Sequence, residues 1–217
     1  MKAAITTSAS PLLIIVTGPS ASGKTTLGRA LAEALDLPFL GRDDLKEIMY
    51  ETLGIADRAW SRRLGGASYE LLYHALELLQ QARASCVVES NFDPAYAAPR
   101  LRALQQRFPF RALQIVCCIG AEERLRRALT RAANGERHLG HVEHRLYIRA
   151  PPPLRPVLHS LARLRLALHP PPADIIADWR LVIDSACVGV DMIRLNQAGR
   201  MALFELARSL LPKESIS

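Results

Sequence analysis

A chain of 217 residues with 49% hydrophobic side chains is long enough to bury one α/β core, with room for a small inserted subdomain. No apolar run approaches the ~18 residues of a membrane span, and Met1 to Pro11 lacks the long apolar stretch of a secretory signal, so a soluble cytoplasmic protein is expected. The formal charge of +7 is concentrated: between Arg100 and Arg149 eleven arginines face four acids (Glu122, Glu123, Glu136, Glu143), which suits either an anionic ligand or a solvated surface.

The apolar run Leu12 to Val16 reads as a strand buried on both faces. It leads into Gly18-Pro19-Ser20-Ala21-Ser22-Gly23-Lys24-Thr25, which fits G-x-x-x-x-G-K-[ST], the phosphate-binding loop. Its glycines let successive backbone N–H groups turn toward the phosphates at the positive end of a helix read from Lys24 to Leu35. Gly18, Ser20, Ala21, Ser22, Gly23 and Thr26 are expected to cradle the nucleotide, Lys24 to reach its β- and γ-phosphates, and the Thr25 hydroxyl to bind Mg²⁺. No N-K-x-D guanine-reading segment is present, so ATP is expected rather than GTP.

A short strand at Pro38-Phe39-Leu40 precedes Gly41-Arg42-Asp43-Asp44-Leu45-Lys46-Glu47. Two carboxylates past a strand's carboxyl end stand beside the phosphates. Asp43 is expected to orient an acceptor hydroxyl and take its proton, with Arg42 or Lys46 pairing with an anionic part of the acceptor. Asp44 is read as the cap of a helix from Asp44 to Leu53, Glu47 completing a capping-box-like pattern. A helix from Tyr69 to Arg83 leads to a strand at Ser85 to Glu89. Glu89 ends that buried strand, where it can hold Mg²⁺ through water, and Asn91 can donate to an acceptor or a phosphate network. The plainer reading of Asn91 and Asp93 is a turn, with Asp93-Pro94 opening the next helix, which runs to Arg107.

A strand from Ala112 to Ile119 is followed by a helix from Ala121 to Ala133, with Arg124, Arg127 and Arg131 on one side and Leu125, Leu129 and Ala132 on another. The glycines of the run Asn134 to His141 permit a mobile loop, so the helix and loop can form an arginine-bearing lid over ATP, Arg127 against the nucleotide; the alternative is a solvated helix and an ordinary loop. His138, His141 and His144 recur every third residue, but no cysteine or carboxylate pattern joins them and a metal set is not expected. Two triple-proline clusters bracket a helix at Leu154 to Leu168, an insertion or lid-associated element. A strand at Arg180 to Asp184 and a helix from Asp191 to Leu211 end the pattern. Cys86, Cys117, Cys118 and Cys187 lie in apolar stretches and read as reduced core residues. Strand and helix alternate throughout, as in a doubly wound parallel sheet forming one domain, with ligands at the carboxyl ends of its strands.

With the phosphate loop, Arg42 to Lys46, Glu89-Ser90-Asn91-Phe92 and the run from Arg131 to His141 in this order, most of Leu12 to Asp184 resembles the P-loop kinase group of polynucleotide 5′-hydroxyl kinases, chloramphenicol phosphotransferases and zeta toxins, a group that also includes many "AAA family ATPase" proteins. The resemblance implies a P-loop NTPase fold with a small helical lid, the base role for Asp43, and a transition-state arginine at Arg131 or Arg137. Lys46 stands where the polynucleotide kinases have an arginine contacting the acceptor phosphate, and an ammonium lacks the bidentate fork. The expectation is ATP- and Mg²⁺-dependent phosphotransfer to a hydroxyl acceptor, a small molecule ahead of a nucleic-acid 5′ end. An ATP-binding switch without an acceptor is the rival from another class.

Overall fold

The computed structural model describes residues 10–135, 138–141, 179–184 and 197–212. Its elements run β1 (Leu12–Thr17), α1 (Lys24–Leu35), β2 (Phe39–Gly41), α2 (Arg42–Leu53), α3 (Arg58–Gln81), β3 (Cys86–Glu89), α4 (Pro94–Arg107), β4 (Arg111–Cys118), α5 (Ala121–Ala133), β5 (Trp179–Asp184) and α6 (Gln197–Leu210). The described strands form a five-stranded sheet in the order β2-β3-β1-β4-β5, every neighbouring pair parallel. This is the α/β P-loop architecture read from the alternation of strands and helices.

β1 is central because its side chains are buried on both faces, and the two-residue period of a strand sends them alternately to two cores. Leu12, Ile14 and Val16 pack with Leu27 and Leu31 of α1 and Leu203 and Ala207 of α6. Leu13 and Ile15 pack with Leu72 and Leu76 of α3 and Ala97 and Leu101 of α4. A fully buried aliphatic side chain of this size contributes about 1.5–3 kcal/mol, so this strand, not the three-residue edge strand β2, anchors the sheet. Chain order reverses around β1, whose neighbours are β3 and β4, and a crevice therefore opens at its carboxyl end. The phosphate loop lies there.

Helix α3 begins at Arg58, eleven residues before the sequence expectation of Tyr69. Local hydrogen bonds start the helix earlier: the Asp57 side chain accepts from the Trp60 N–H at 2.8 Å, and the Trp60 indole donates to the Gly54 carbonyl at 3.0 Å. The last helix starts at Gln197 among the described residues; Asp191 to Asn196, the Leu154–Leu168 helix with its proline clusters, Cys187, His144 and Arg137 lie outside them. No described helix is long and apolar enough to cross a membrane. Cys86 and Cys117 are free and buried, and burial pushes both thiols up to about 12, which leaves them unreactive.

Candidate active site

The loop between β1 and α1 takes a backbone path that its glycines permit. Gly18 has φ 148° and Gly23 φ 84°, and a Cβ on Gly18 would stand 2.4 Å from the Cys117 carbonyl oxygen. Ala21 is also left-handed, at φ 61°, a conformation a side chain adopts only where the surroundings impose it. Helix α1 then starts at Lys24 with no side-chain cap and no acid in its first turn, so its first N–H groups face the crevice without an anionic side chain. Ser20 is half-buried, Thr26 exposed, and the buried Ser22 Oγ has no hydrogen-bond partner among the described residues. An uncapped helix start, an unsatisfied buried hydroxyl and a buried lysine are the donor set that phosphate oxygens satisfy.

Sheet register brings a carboxylate to this loop from 64 residues away. Glu89 ends β3 opposite Val16 of β1, and only 3% of it is exposed. Its Oε2 accepts from the Thr25 hydroxyl at 2.8 Å, and its Oε1 lies 3.6 Å from the Lys24 Nζ. The Lys24 Nζ also lies 3.5 Å from the Pro19 carbonyl. The buried acid is thus balanced by an ammonium and a hydroxyl, and the Thr25–Glu89 oxygen pair suits a hard cation such as Mg²⁺.

On its other side β3 pairs with β2, placing Gly41 opposite Glu89 and starting α2 beside the same crevice. Arg42 donates to the Asp43 carboxylate in an ion pair. Burial would raise the Asp43 carboxyl, but the Arg42 charge and hydrogen bond, reinforced by His141 and Lys24, outweigh that and hold it well below the usual carboxylate range. Asp43 is therefore an anion, and it lies within the field of the lysine at the phosphate loop. A tyrosine that the sequence reading passed over braces this pair. The Arg42 guanidinium lies 5.0 Å from the centre of the Tyr69 ring, and the Tyr69 hydroxyl donates to the Asn91 carbonyl at 3.2 Å and accepts from Ser90 Oγ at 3.1 Å. Asn91 is exposed, with its Oδ1 turned to Tyr69 at 3.3 Å. Only its position inside the longer α3 links Tyr69 to the site, since nothing in its own sequence neighbourhood does.

Asp44 is not the helix cap. Helix α2 starts at Arg42 with Gly41 in the capping position and no side-chain cap, and Asp44 instead accepts from Arg29 of α1 at 2.7 Å. The strand β2 runs to Gly41, so the helical turn is under way three residues earlier than a cap at Asp44 requires. Glu47 completes no capping box; its Oε1 lies 2.9 Å from the His141 Nε2. The Asp44–Arg29 pair is exposed and worth under about 1 kcal/mol. Asp44→Ala and Arg29→Ala are accordingly expected to cost under about 1 kcal/mol each in urea unfolding and no more in combination. A larger Asp44→Ala loss that ignores Arg29→Ala would restore the capping role.

Lys46 turns to α3 rather than into the crevice. It is buried, donates to Ser61 Oγ at 3.2 Å, and lies 5.4 Å from the centre of the Tyr50 ring. On α5, Arg124 is buried rather than solvated, while Arg127 is held by Glu123 at 2.8 Å, as is Arg126 at 2.5 Å. The Arg131 Nε is buried without a hydrogen-bond partner among the described residues. Further basic residues are absorbed structurally: Arg100 grips Glu70 with both terminal nitrogens at 2.5 Å, and Arg107 pairs with Glu77 at 2.7 Å, joining α4 to α3.

Comparison with known proteins agrees with this geometry. A family model described as an AAA domain, AAA_33, matches residues 13–167. A protein of Chloroflexus aurantiacus J-10-fl, assigned provisionally as a kinase, is similar at 34% identity and TM-score 0.77, over 93% of this chain and 99% of that one. A gluconokinase from Sinorhizobium meliloti 1021 (20% identity, TM-score 0.44, 92% and 97% covered) and a shikimate kinase from Acinetobacter baumannii in complex with shikimate (19%, 0.45, 94% and 97%) are similar at a level that carries no argument about this chain. No curated protein matches. A phosphate loop at the head of a parallel sheet, a family model spanning more than half the chain and a full-length relative agree: the chain belongs to the AAA_33 family of AAA domains and is a P-loop ATP-binding domain of the kinase type.

Proposed function

We propose that this protein is an ATP- and Mg²⁺-dependent phosphotransferase that moves the γ-phosphoryl group to the hydroxyl of a small molecule. The observation that carries the reading is the register of β3, which sets Glu89 beside Lys24 and Thr25 on one flank and opposite Gly41, the residue before Arg42-Asp43, on the other. Glu89 on the nucleotide side and Asp43 on the acceptor side would then serve one crevice. Lys24 and the N–H groups of residues 18–26 would hold the phosphates, and Thr25 with Glu89 would hold Mg²⁺, whose charge offsets that of the triphosphate. Asp43 would aim the acceptor hydroxyl and receive its proton. Phosphoryl transfer loosens the donor bond before the acceptor proton leaves, so a carboxylate of low basicity suffices. Arg42, steadied by Tyr69, and Asn91 would contact the acceptor, and Lys46 would do so on leaving Ser61. Arg127, Arg131 and Arg137 would close over the nucleotide as a lid, with residues 121–172 forming lid and insertion within a single domain of residues 1–217.

The small-molecule reading is favoured over the polynucleotide kinase group because four of the eleven arginines of the basic stretch, Arg100, Arg107, Arg126 and Arg127, are held in ion pairs with acids of the same fold. A phosphate-tracking surface needs free cations. With γ-labelled ATP and Mg²⁺, a panel of low-molecular-weight alcohols, sugars and hydroxy acids is expected to yield a labelled product. An ATP analogue should slow amide exchange in 124–135 without nucleic acid. Label transferred to 5′-hydroxyl oligonucleotides, with a steep salt dependence and with exchange slowed only by the oligonucleotide, would place the polynucleotide kinase first. Hydrolysis that no acceptor diverts would favour the switch.

A further inference from the structure

The turn His138–His141 is packed onto the acceptor-side helix more closely than a free lid loop requires. The His138 ring stacks on Tyr50 of α2 with centroids 5.3 Å apart and planes 9° from parallel. The His141 ring meets Tyr50 edge-on at 5.8 Å. Between them Gly140 lies so close to Tyr50 that a Cβ would stand 2.3–2.5 Å from three of its ring carbons. The turn is closed internally, the Gly140 N–H donating to His138 Nδ1 at 3.1 Å and the His141 N–H to the His138 carbonyl at 3.1 Å. It delivers a 7%-exposed imidazole to Glu47, 94 residues away in sequence, at 2.9 Å. Tyr50 is fixed from below by its hydroxyl, 2.6 Å from Ser61 Oγ.

Glu47 lies one helical turn after Asp43. We propose that His141 is a positioning residue for the acceptor side of the reaction: seated on Tyr50 and bonded to Glu47, it locks the segment following α5 to helix α2 and so fixes the direction in which Asp43 faces the acceptor. The proposal rests on the reading of Asp43 as the residue that aims the acceptor hydroxyl. Among the described residues, the titratable and charged groups that face the imidazole are Asp43, Glu47 and Tyr50 from α2 and His138 from its own turn. The His141 hydrogen bond and, more weakly, the His141 charge hold the Glu47 carboxyl below its ordinary value against burial, which raises it. A depressed carboxyl stabilises the pair above its unfolded value, and that contribution is lost as pH falls through the folded value.

The test uses the full chain with ATP and Mg²⁺, water serving as the acceptor, in single-turnover hydrolysis read as a rate, an ATP affinity and a pH profile. His141→Ala is expected to slow hydrolysis about tenfold with ATP affinity within about twofold, and to move the acid limb of the profile to higher pH, because the His141 charge no longer helps to hold the Asp43 carboxyl down. His141→Gln, which keeps an N–H for Glu47, should recover most of the rate. Glu47→Ala should match His141→Ala, and the double variant should be no slower than either. Gly140→Ala, which pushes the turn off Tyr50 while leaving both partners present, should give the same loss and covers the case in which His141→Ala does not fold. A wild-type rate and acid limb in folded His141→Ala or Gly140→Ala, or additive losses in the double variant, would overturn the proposal. The reading beneath it is judged separately: wild-type hydrolysis in Asp43→Asn would remove the role of Asp43, whereas the coupling of Glu47 to His141 is measured without that variant.

Discussion

Lys24→Ala is expected to reduce ATP turnover by about 10²–10³-fold or more, because it removes a cation from a site whose catalysis is electrostatic. It should also destabilise the nucleotide-free protein. Glu89 is 3% exposed and has the Lys24 ammonium 3.6 Å away, and removing one partner of a buried pair typically costs about 3–5 kcal/mol. The lower end applies here, since the Thr25 hydroxyl continues to donate to Glu89. Stability and catalysis can be separated. Adding Glu89→Gln to Lys24→Ala removes the stranded charge and should restore much of the unfolding free energy in urea while leaving turnover absent. A Lys24→Ala protein that hydrolyses or transfers at the wild-type rate would refute the phosphate-loop assignment.

Asp43→Asn is expected to leave ATP affinity unchanged and to lower phosphotransfer by about 10²-fold or more, the usual size of a general-base contribution. The variant also carries a stability signature. Arg42 holds the Asp43 carboxyl well below its ordinary range, so the ion pair contributes stability that is complete above about pH 4, the unfolded carboxylate value, and is lost as pH falls below it. Asp43→Asn should therefore be less stable than the parent at neutral pH, with the difference closing in strong acid. Melting curves from pH 7 to pH 2 read this directly. If transfer persists at the parental rate in Asp43→Asn, the acceptor base lies elsewhere, and Glu47 on the next turn of α2 is the first residue to examine.

Much of this architecture was legible in sequence because its signals are local. A buried strand reads as an apolar run, the phosphate loop is eight consecutive residues, and a helix follows at once; all three lie where expected. α5 starts and ends as the periodicity indicates. Expectation failed where a local signal competed with a distant contact. The helix expected from Tyr69 begins at Arg58, where Ser61 of its first turn meets Lys46 and Tyr50 of α2. Asp44 followed by Glu47 looked like a capping box, yet each carboxylate finds a partner on another element, Arg29 and His141 respectively.

The amino-acid sequence by itself determined that this chain builds a parallel α/β sheet around a triphosphate loop, because residue order and spacing specify backbone conformation over a few turns. Which carboxylate meets the loop was decided by the registers Val16 to Glu89 and Gly41 to Glu89, set when three strands separated by tens of residues pair in one sheet. The Tyr69 brace on Arg42 and the His141–Glu47 contact have the same origin: helices α2 and α3 and the turn after α5 bury side chains against one another. Such contacts are chosen by packing and the need to satisfy buried charge, quantities that exist only once the chain has closed on itself.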